Sequence, residues 1–239
     1  MNPGLPGRIF DDMQADIIRN VYPVGSKLPP ERDLAHKYEA SRFAVREAIA
    51  MLAQSGLVIT HPQSGTYVKD FENTGSLETL VQILRIRRSI DRPTLESLLN
   101  FRLTTETAAA AEAACRVTKS EIEYLERNLE IKKEHPADVS ILTECDFDFH
   151  YTIINISGNI INRLVFQSFR PIYSFFTEFF YSINGTAEAS LRLNLKMLKA
   201  LKSRDSDASK KAMTAILKFG EKKVYEAIKD GSRFSLLGK

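Results

Sequence analysis

Along the first quarter of this chain, apolar residues recur at the spacing of helices and then, briefly, at that of strands. Ile9, Phe10, Met13, Ile17 and Val21 fall on one helical face. Leu34, Ala35 and Tyr38 supply the inward face of a second, short helix. Pro29 and Pro30 precede it, and Glu31 and Asp33 place negative charge at the positive end of its dipole. Glu39-Ala40-Ser41 leaves room only for a tight turn. Ser41 can then cap a third helix, in which Val45, Ala48, Ile49 and Leu52 recur at i, i+3, i+4 and i+7. Gly56 suits the position just past its end, Leu57–Thr60 and Thr66–Val68 have strand composition, and His61–Gly65 is a polar, turn-forming connection. Helix, helix, turn, helix and a two-stranded wing form a winged helix-turn-helix over residues 1–70.

Residues 71–75 then read as a polar linker, and from Ser76 to the end helical periodicity does not stop. Segments are predicted at about 76–87, 93–116, 120–133, 136–156, 159–183, 187–202 and 205–230. The expected fold is mainly α, with a small β wing in the first domain and an all-helical bundle of about six or seven helices over residues 76–239.

Two stretches of the bundle carry candidate chemistry. In FQSFRPIYSFFTEFFY, Phe166, Phe169, Tyr173, Phe176 and Phe180 make one stripe, and Phe175 and Phe179 fill the adjacent face. Such a helix belongs at the centre of a bundle, where it serves either as core or as the wall of an apolar ligand site. In CDFDFHYTIINISGN, Asp146 and His150 lie one turn apart, which suits a shared ligand, a metal ion or an ordinary helix contact. A metal-dependent hydrolase built on Asp146, Asp148 and His150 is an alternative. It lacks a second acidic or histidine cluster and any nucleophile motif.

Charge narrows the choice without settling it. The chain of 239 residues carries 33 Lys and Arg against 30 Asp and Glu, a net charge of +3. The first 70 residues are balanced, with eight cations and eight anions, so phosphate binding requires the cations to be sorted onto one face. Arg42 and Arg46 lie one turn apart on the N-terminal half of the third helix, the half that reads base edges. Cys115 and Cys145 are the two cysteines, lack CxxC spacing and are expected to be buried thiols. With neither a signal-like start nor an 18-residue apolar run, a cytoplasmic protein without membrane attachment is expected.

The string LPPERDLAHKYEASRFAVREAIAMLAQSGLV, followed by SGTYV, resembles the DNA-binding domain of the bacterial GntR family of transcription regulators. The resemblance implies that Arg32, Arg42 and Arg46 contact a double-stranded operator. It implies that Ser41, Phe43, Gln63, Ser64 and Gly65 approach phosphates or the minor groove. A guanidinium can bridge guanine O6 and N7, whereas hydroxyl and backbone N–H groups mainly fix position. Phe43 stands where a small polar residue is common, and it could pack on a thymine methyl or a sugar.

The Asp-x-x-x-His pattern, Ser157-Gly158-Asn159 and Arg102 resemble the helical effector domain of the family's FadR-type branch, closest in outline to its fatty-acyl-CoA-responsive repressor. Metal-binding members of that branch add two histidines, but the aligned positions here read about Asn194 and Ile216, so no metal is expected. No other cofactor is implied. The expectation is a homodimeric repressor, not an enzyme, whose operator binding responds to an organic anion: acyl-CoA, a fatty acid or a small carboxylate. The alternative is a regulator with no effector. Arg102 would hold the anionic group, Asp146 and His150 its polar atoms, and Tyr173 and Phe176 its apolar end.

Overall fold

Pro6 sits in the opening turn of helix α1 (Leu5–Ile18), where its missing N–H costs nothing, and Ile9, Met13, Ile17 and Ile18 are buried along one side. The helix stops before Val21, which is 61% exposed and contributes nothing to the core expected of it. These are features of a computed structural model that describes residues 4–87, 89–227 and 233–235.

Helix α2 (Glu31–Lys37) starts after Pro30. Helix α3 (Arg42–Gln54) is capped by Ser41, whose Oγ accepts from the Ala44 N–H at 3.2 Å. Leu34, Val45, Ala48 and Leu52 close over α1. Gly56, at φ 77°, takes the left-handed conformation that ends α3. Strand β1 (Val58–His61) then pairs antiparallel with β2 (Gly65–Val68), Val58 opposite Val68.

Two more helices belong to this unit. In α4 (Phe71–Thr74) and α5 (Leu77–Arg87), Phe71 and Ile83 enter the same core as α1 to α3. Arg87 Nε donates to the Ile18 carbonyl at 3.0 Å. The chain accordingly divides into Met1–Arg88 and Ser89–Lys239. The boundary lies beyond the 71–75 linker read from composition, because the apolar face of α5 finds its partner in the first core.

The second unit contains β3 (Ser89–Asp91), α6 (Arg92–Arg116), α7 (Lys119–Glu134), α8 (Val139–Ser157), α9 (Ile160–Ser168), α10 (Arg170–Ser182), α11 (Thr186–Lys202), α12 (Ser206–Ala227) and β4 (Arg233–Ser235). Its described helices number seven, within the six or seven expected of the bundle, but the segment predicted at 76–87 lies in the first unit as α5 and that at 159–183 is two helices here. The antiparallel β3–β4 pair was not expected in it. The end of the last predicted helix, residues 228–230, lies outside the described residues.

Helix α6 packs on α8 and α12, α11 on α7 and α12, and α10 on α8. Ala109, Ala110, Ala113 and Ala114 are buried and let neighbouring helices approach α6 closely. Gly158, at φ 81°, ends α8, and Asn159 caps α9 by accepting from the N–H groups of Ile161 and Asn162, so Ser-Gly-Asn marks a helix–helix junction. The single helix predicted over 159–183 is two, because Pro171 starts α10 afresh. Cys145 is buried, but Cys115 is exposed, contrary to expectation. Among the described residues no helix is long and apolar enough to cross a membrane.

Candidate functional site

Helix α3 points its buried face at α1 and its other face at solvent. Arg42, Phe43 and Arg46 are exposed there, Phe43 at 77%, a degree unusual for so large an apolar side chain. Arg46 is held by Glu31 of α2: Nε donates to Oε1 at 3.1 Å and Nη2 to Oε2 at 2.8 Å. Arg46, by hydrogen bond and charge, holds the Glu31 carboxyl below its ordinary range. Arg32, just behind, is exposed and bonds Asp33 at 3.1 Å. Ser41 spends its oxygen lone pair on the cap of α3.

In the wing, Gln63 has φ 63°, and Ser64 Oγ lies 2.9 Å from the Tyr67 hydroxyl. Gly65 has φ 123°, and a Cβ there would meet Lys27 Cε at 2.5 Å. Lys27 pairs with Tyr67 through an isolated bridge. It thereby adds an exposed cation beside the wing that local spacing did not reveal.

Arg102, Asp146, His150, Tyr173 and Phe176 all line one cavity of about 80 Å³ in the helical unit. Its walls are apolar, with Leu95, Leu99, Phe169, Phe180 and Phe219 among them. Its polar end is a chain of hydrogen bonds. Arg102 Nε donates to Glu106 Oε1 at 2.6 Å, and the other Glu106 oxygen accepts from His150 Nδ1. Arg102 Nη2 donates to the Tyr173 hydroxyl at 3.3 Å, and Tyr173 donates to Asp146 Oδ2 at 2.8 Å. Tyr181 donates to Asp146 Oδ1 at 2.6 Å, and Lys132 Nζ donates to the same oxygen at 2.8 Å.

Burial is the largest influence on Asp146 and disfavours its charge, but the Lys132 ammonium, His150 and the Tyr181 hydrogen bond together outweigh it and hold the carboxyl well below the usual carboxylate range. Burial likewise opposes ionisation of Glu106, and the Arg102 charge, with His150, brings its pKa down. The hydroxyls of Tyr173 and Tyr181 are pushed well above their ordinary value by burial and by the adjacent Asp146 charge. Both therefore remain donors to Asp146.

Tyr173 thus belongs to the polar end through its hydroxyl as well as to the apolar wall. Asp148 is not among the residues around the cavity, so the three side chains of the hydrolase alternative do not converge. The sequence reading missed Glu106, Lys132, Tyr181, Ser190 and Asn194. One signal was available: Leu125, Asn128, Leu129 and Lys132 share the i, i+3, i+4, i+7 stripe and are all buried, which places Lys132 inside. A divalent metal does not fit these residues. Both Asp146 oxygens already accept, Glu106 is taken by Arg102 and His150, and among the described residues no three His, Cys, Asp or Glu side chains gather as ligands.

Residues 5–68 match the family model of the bacterial regulatory proteins of the gntR family, and residues 97–219 match the FCD domain. A transcriptional regulator of Mycobacterium tuberculosis, Mce2R, is 30% identical over 169 residues, 71% of this chain and 70% of that protein. An Escherichia coli protein described as a candidate regulator of the L-lactate dehydrogenase operon is 27% identical over 224 residues, 90% of this chain and 86% of that one. The structure of Escherichia coli McbR/YncC shares the fold, with a TM-score of 0.54 and 17% identity over 94% of this chain and 99% of that one. The chain belongs to the GntR family of bacterial transcriptional regulators, with a winged helix-turn-helix DNA-binding domain and an FCD effector domain.

Proposed function

We propose that this regulator binds a pseudo-palindromic operator as a homodimer, and that a compact organic anion seated in the cavity of the helical unit alters that binding. The carrying observation is the cavity itself, whose apolar walls lead to a polar end where Arg102 stands between Glu106 and Tyr173. Arg102 takes the anionic group, His150 and Tyr173 meet its remaining polar atoms, and Phe176 covers its apolar body. Asp146 acts through Tyr173, because both of its oxygens are already engaged.

Size favours a carboxylate of a few carbons over an acyl-CoA or a long fatty acid. The cavity of about 80 Å³ is smaller than the roughly 150 Å³ that accommodates a benzene ring in an engineered protein core. The relative described as a regulator of the L-lactate dehydrogenase operon points to the same class of small anion.

The DNA side rests on Arg42 and Arg46 at the exposed start of α3, with Arg32, Ser41, Phe43 and the wing tip Gln63–Gly65 as supporting contacts. A second copy fits the exposed face of α9, where Ile160 is 58%, Ile161 64% and Leu164 54% exposed at i, i+1 and i+4. Repression in the cytoplasm, without catalysis, completes the reading.

The test has two arms. Operator binding is measured for wild type, Arg42→Ala and Arg46→Ala across salt, and release from DNA is measured against a panel of two- to eight-carbon carboxylates, a fatty acid and an acyl-CoA. Each arginine should cost roughly 5- to 150-fold in affinity, and a short carboxylate should act at lower concentration than the lipids. Unchanged binding by both arginine variants removes the DNA assignment, and release by acyl-CoA alone removes the size argument.

A further inference from the structure

Lys132 is among the largest fully buried side chains of the described residues, at 1% exposure, and each of its three ammonium hydrogens has an acceptor. Nζ reaches Asp146 Oδ1 at 2.8 Å and Ser190 Oγ at 3.0 Å. With the Asn194 amide turned so that both its ends are satisfied, its oxygen accepts from Nζ at 3.1 Å, and its nitrogen donates to the Ser190 carbonyl. The face of Tyr181 covers the ammonium at 5.1 Å. This is a cage of one carboxylate, one hydroxyl and one amide oxygen under an aromatic ring. The chain fills it from α7 while the acceptors come from α8 and α11.

We propose that Lys132 is the resident cation of the effector domain, seated in an oxygen cage that would otherwise accept an external cation, so that this domain works without a metal ion. The proposal rests on the cavity being the effector site only for its functional consequence; the cage stands by itself. That consequence is directional. Because the ammonium keeps Asp146 an acceptor on both oxygens, Tyr173 and Tyr181 must each donate to it. Tyr173 then turns its lone pairs toward Arg102, whose Nη2 donates to them. Lys132 is thus a positioning residue: it sets the polarity of the hydrogen bonds that Arg102 and Tyr173 present to the cavity, without lining the cavity itself.

Removing the side chain beyond Cβ should leave a cage shaped for an alkylammonium. The test is thermal unfolding of the full-length protein, free of effector, as wild type, Lys132→Ala and Lys132→Met. Each is measured with and without n-propylammonium chloride, then with Zn²⁺, Mn²⁺ or Ni²⁺, and with chelator. Both variants should melt roughly 10 °C or more below wild type, since each strands a buried carboxylate. Propylammonium should raise the midpoint of Lys132→Ala by several degrees relative to equal sodium chloride, and should not move wild type or Lys132→Met, whose stem still fills the channel. Wild type should be indifferent to the metals and to chelator.

Absence of rescue in a folded Lys132→Ala overturns the cage. Stoichiometric retention of a divalent ion by wild type, with a midpoint that rises with metal and falls with chelator, overturns the resident-cation role, and that measurement needs no variant to fold. No effector enters either result, so the proposal can fail while the carboxylate reading survives, and the reverse.

Discussion

Arg46 of α3 is clamped by Glu31 of α2 through two nitrogens, at 3.1 and 2.8 Å, across the turn of the helix-turn-helix. Both partners reach solvent, with side-chain exposures of 72% and 36%, so the pair adds little to stability. Its effect is orientation, since a guanidinium gripped along one edge presents its remaining edge in a fixed direction. Replacing Glu31 with Gln keeps the charge of Arg46 and removes the grip. Affinity for random DNA should hold or rise while the preference for operator falls several-fold, as read by competition binding. An unaltered preference would show that Arg46 needs no such support.

Gly65 begins β2 at φ 123° and faces Lys27 Cε. Gly65→Ala meets both an unfavourable backbone region and that side chain, and should cost about 1–3 kcal/mol in chemical denaturation. Operator affinity should fall with it, because the wing tip is held by this residue. A variant as stable as wild type would show that the wing relaxes freely.

Arg102 joins the polar end of the cavity to Glu106 and Tyr173. Arg102→Ala should leave operator affinity within a few-fold of wild type, while raising the carboxylate concentration needed for release by at least ~10-fold. Calorimetric titration of the carboxylate checks the binding step separately. Equal response in the two proteins removes Arg102 from effector recognition.

Asp146 and Glu106 are buried carboxyls whose pKa values lie below the ordinary 3.8 and 4.5, burial being outweighed by Lys132 together with His150 and Tyr181 in the first case and by Arg102 together with His150 in the second. A depressed folded pKa adds stability that is present above the unfolded value and is lost as pH falls toward the folded one. The melting temperature of the helical unit should therefore hold down to about pH 5 and drop steeply below about pH 4. In Lys132→Met the acid limb should be shallower, because Asp146 has lost its principal counter-charge. Identical acid limbs would contradict the pairing.

Leu164 projects from α9 beside Ile160 and Ile161 on one helix face. If a second copy covers that face, Leu164→Lys should shift the protein toward monomer in sedimentation and weaken operator binding, with little change in the helix content of the chain. A dimer of unchanged strength would place the interface elsewhere.

The first unit was legible because its signals are local. The prolines before α2, Ser41 at the cap of α3, Gly56 at φ 77° and the i, i+3, i+4, i+7 stripe of α3 each act within a few residues of themselves. The seven helices of the second unit were legible for the same reason, except where Pro171 divided one in two. Arg102, Asp146 and His150 could be singled out from residue type and resemblance. Their surroundings could not. Whether α5 joins the first core depended on Ile83 meeting α1 to α3. The polar cluster joins Arg102 and Glu106 of α6 to Lys132 of α7, Asp146 and His150 of α8, Tyr173 and Tyr181 of α10, and Ser190 and Asn194 of α11. Lys132 and Ser190 are 58 positions apart and meet at 3.0 Å. Periodicity says which face of a helix turns inward, and the buried stripe of α7 carries that signal for Lys132. Which charge each of these groups would find in the interior was decided only when the helices packed, because a buried ion is tolerated where its partner arrives from another part of the chain.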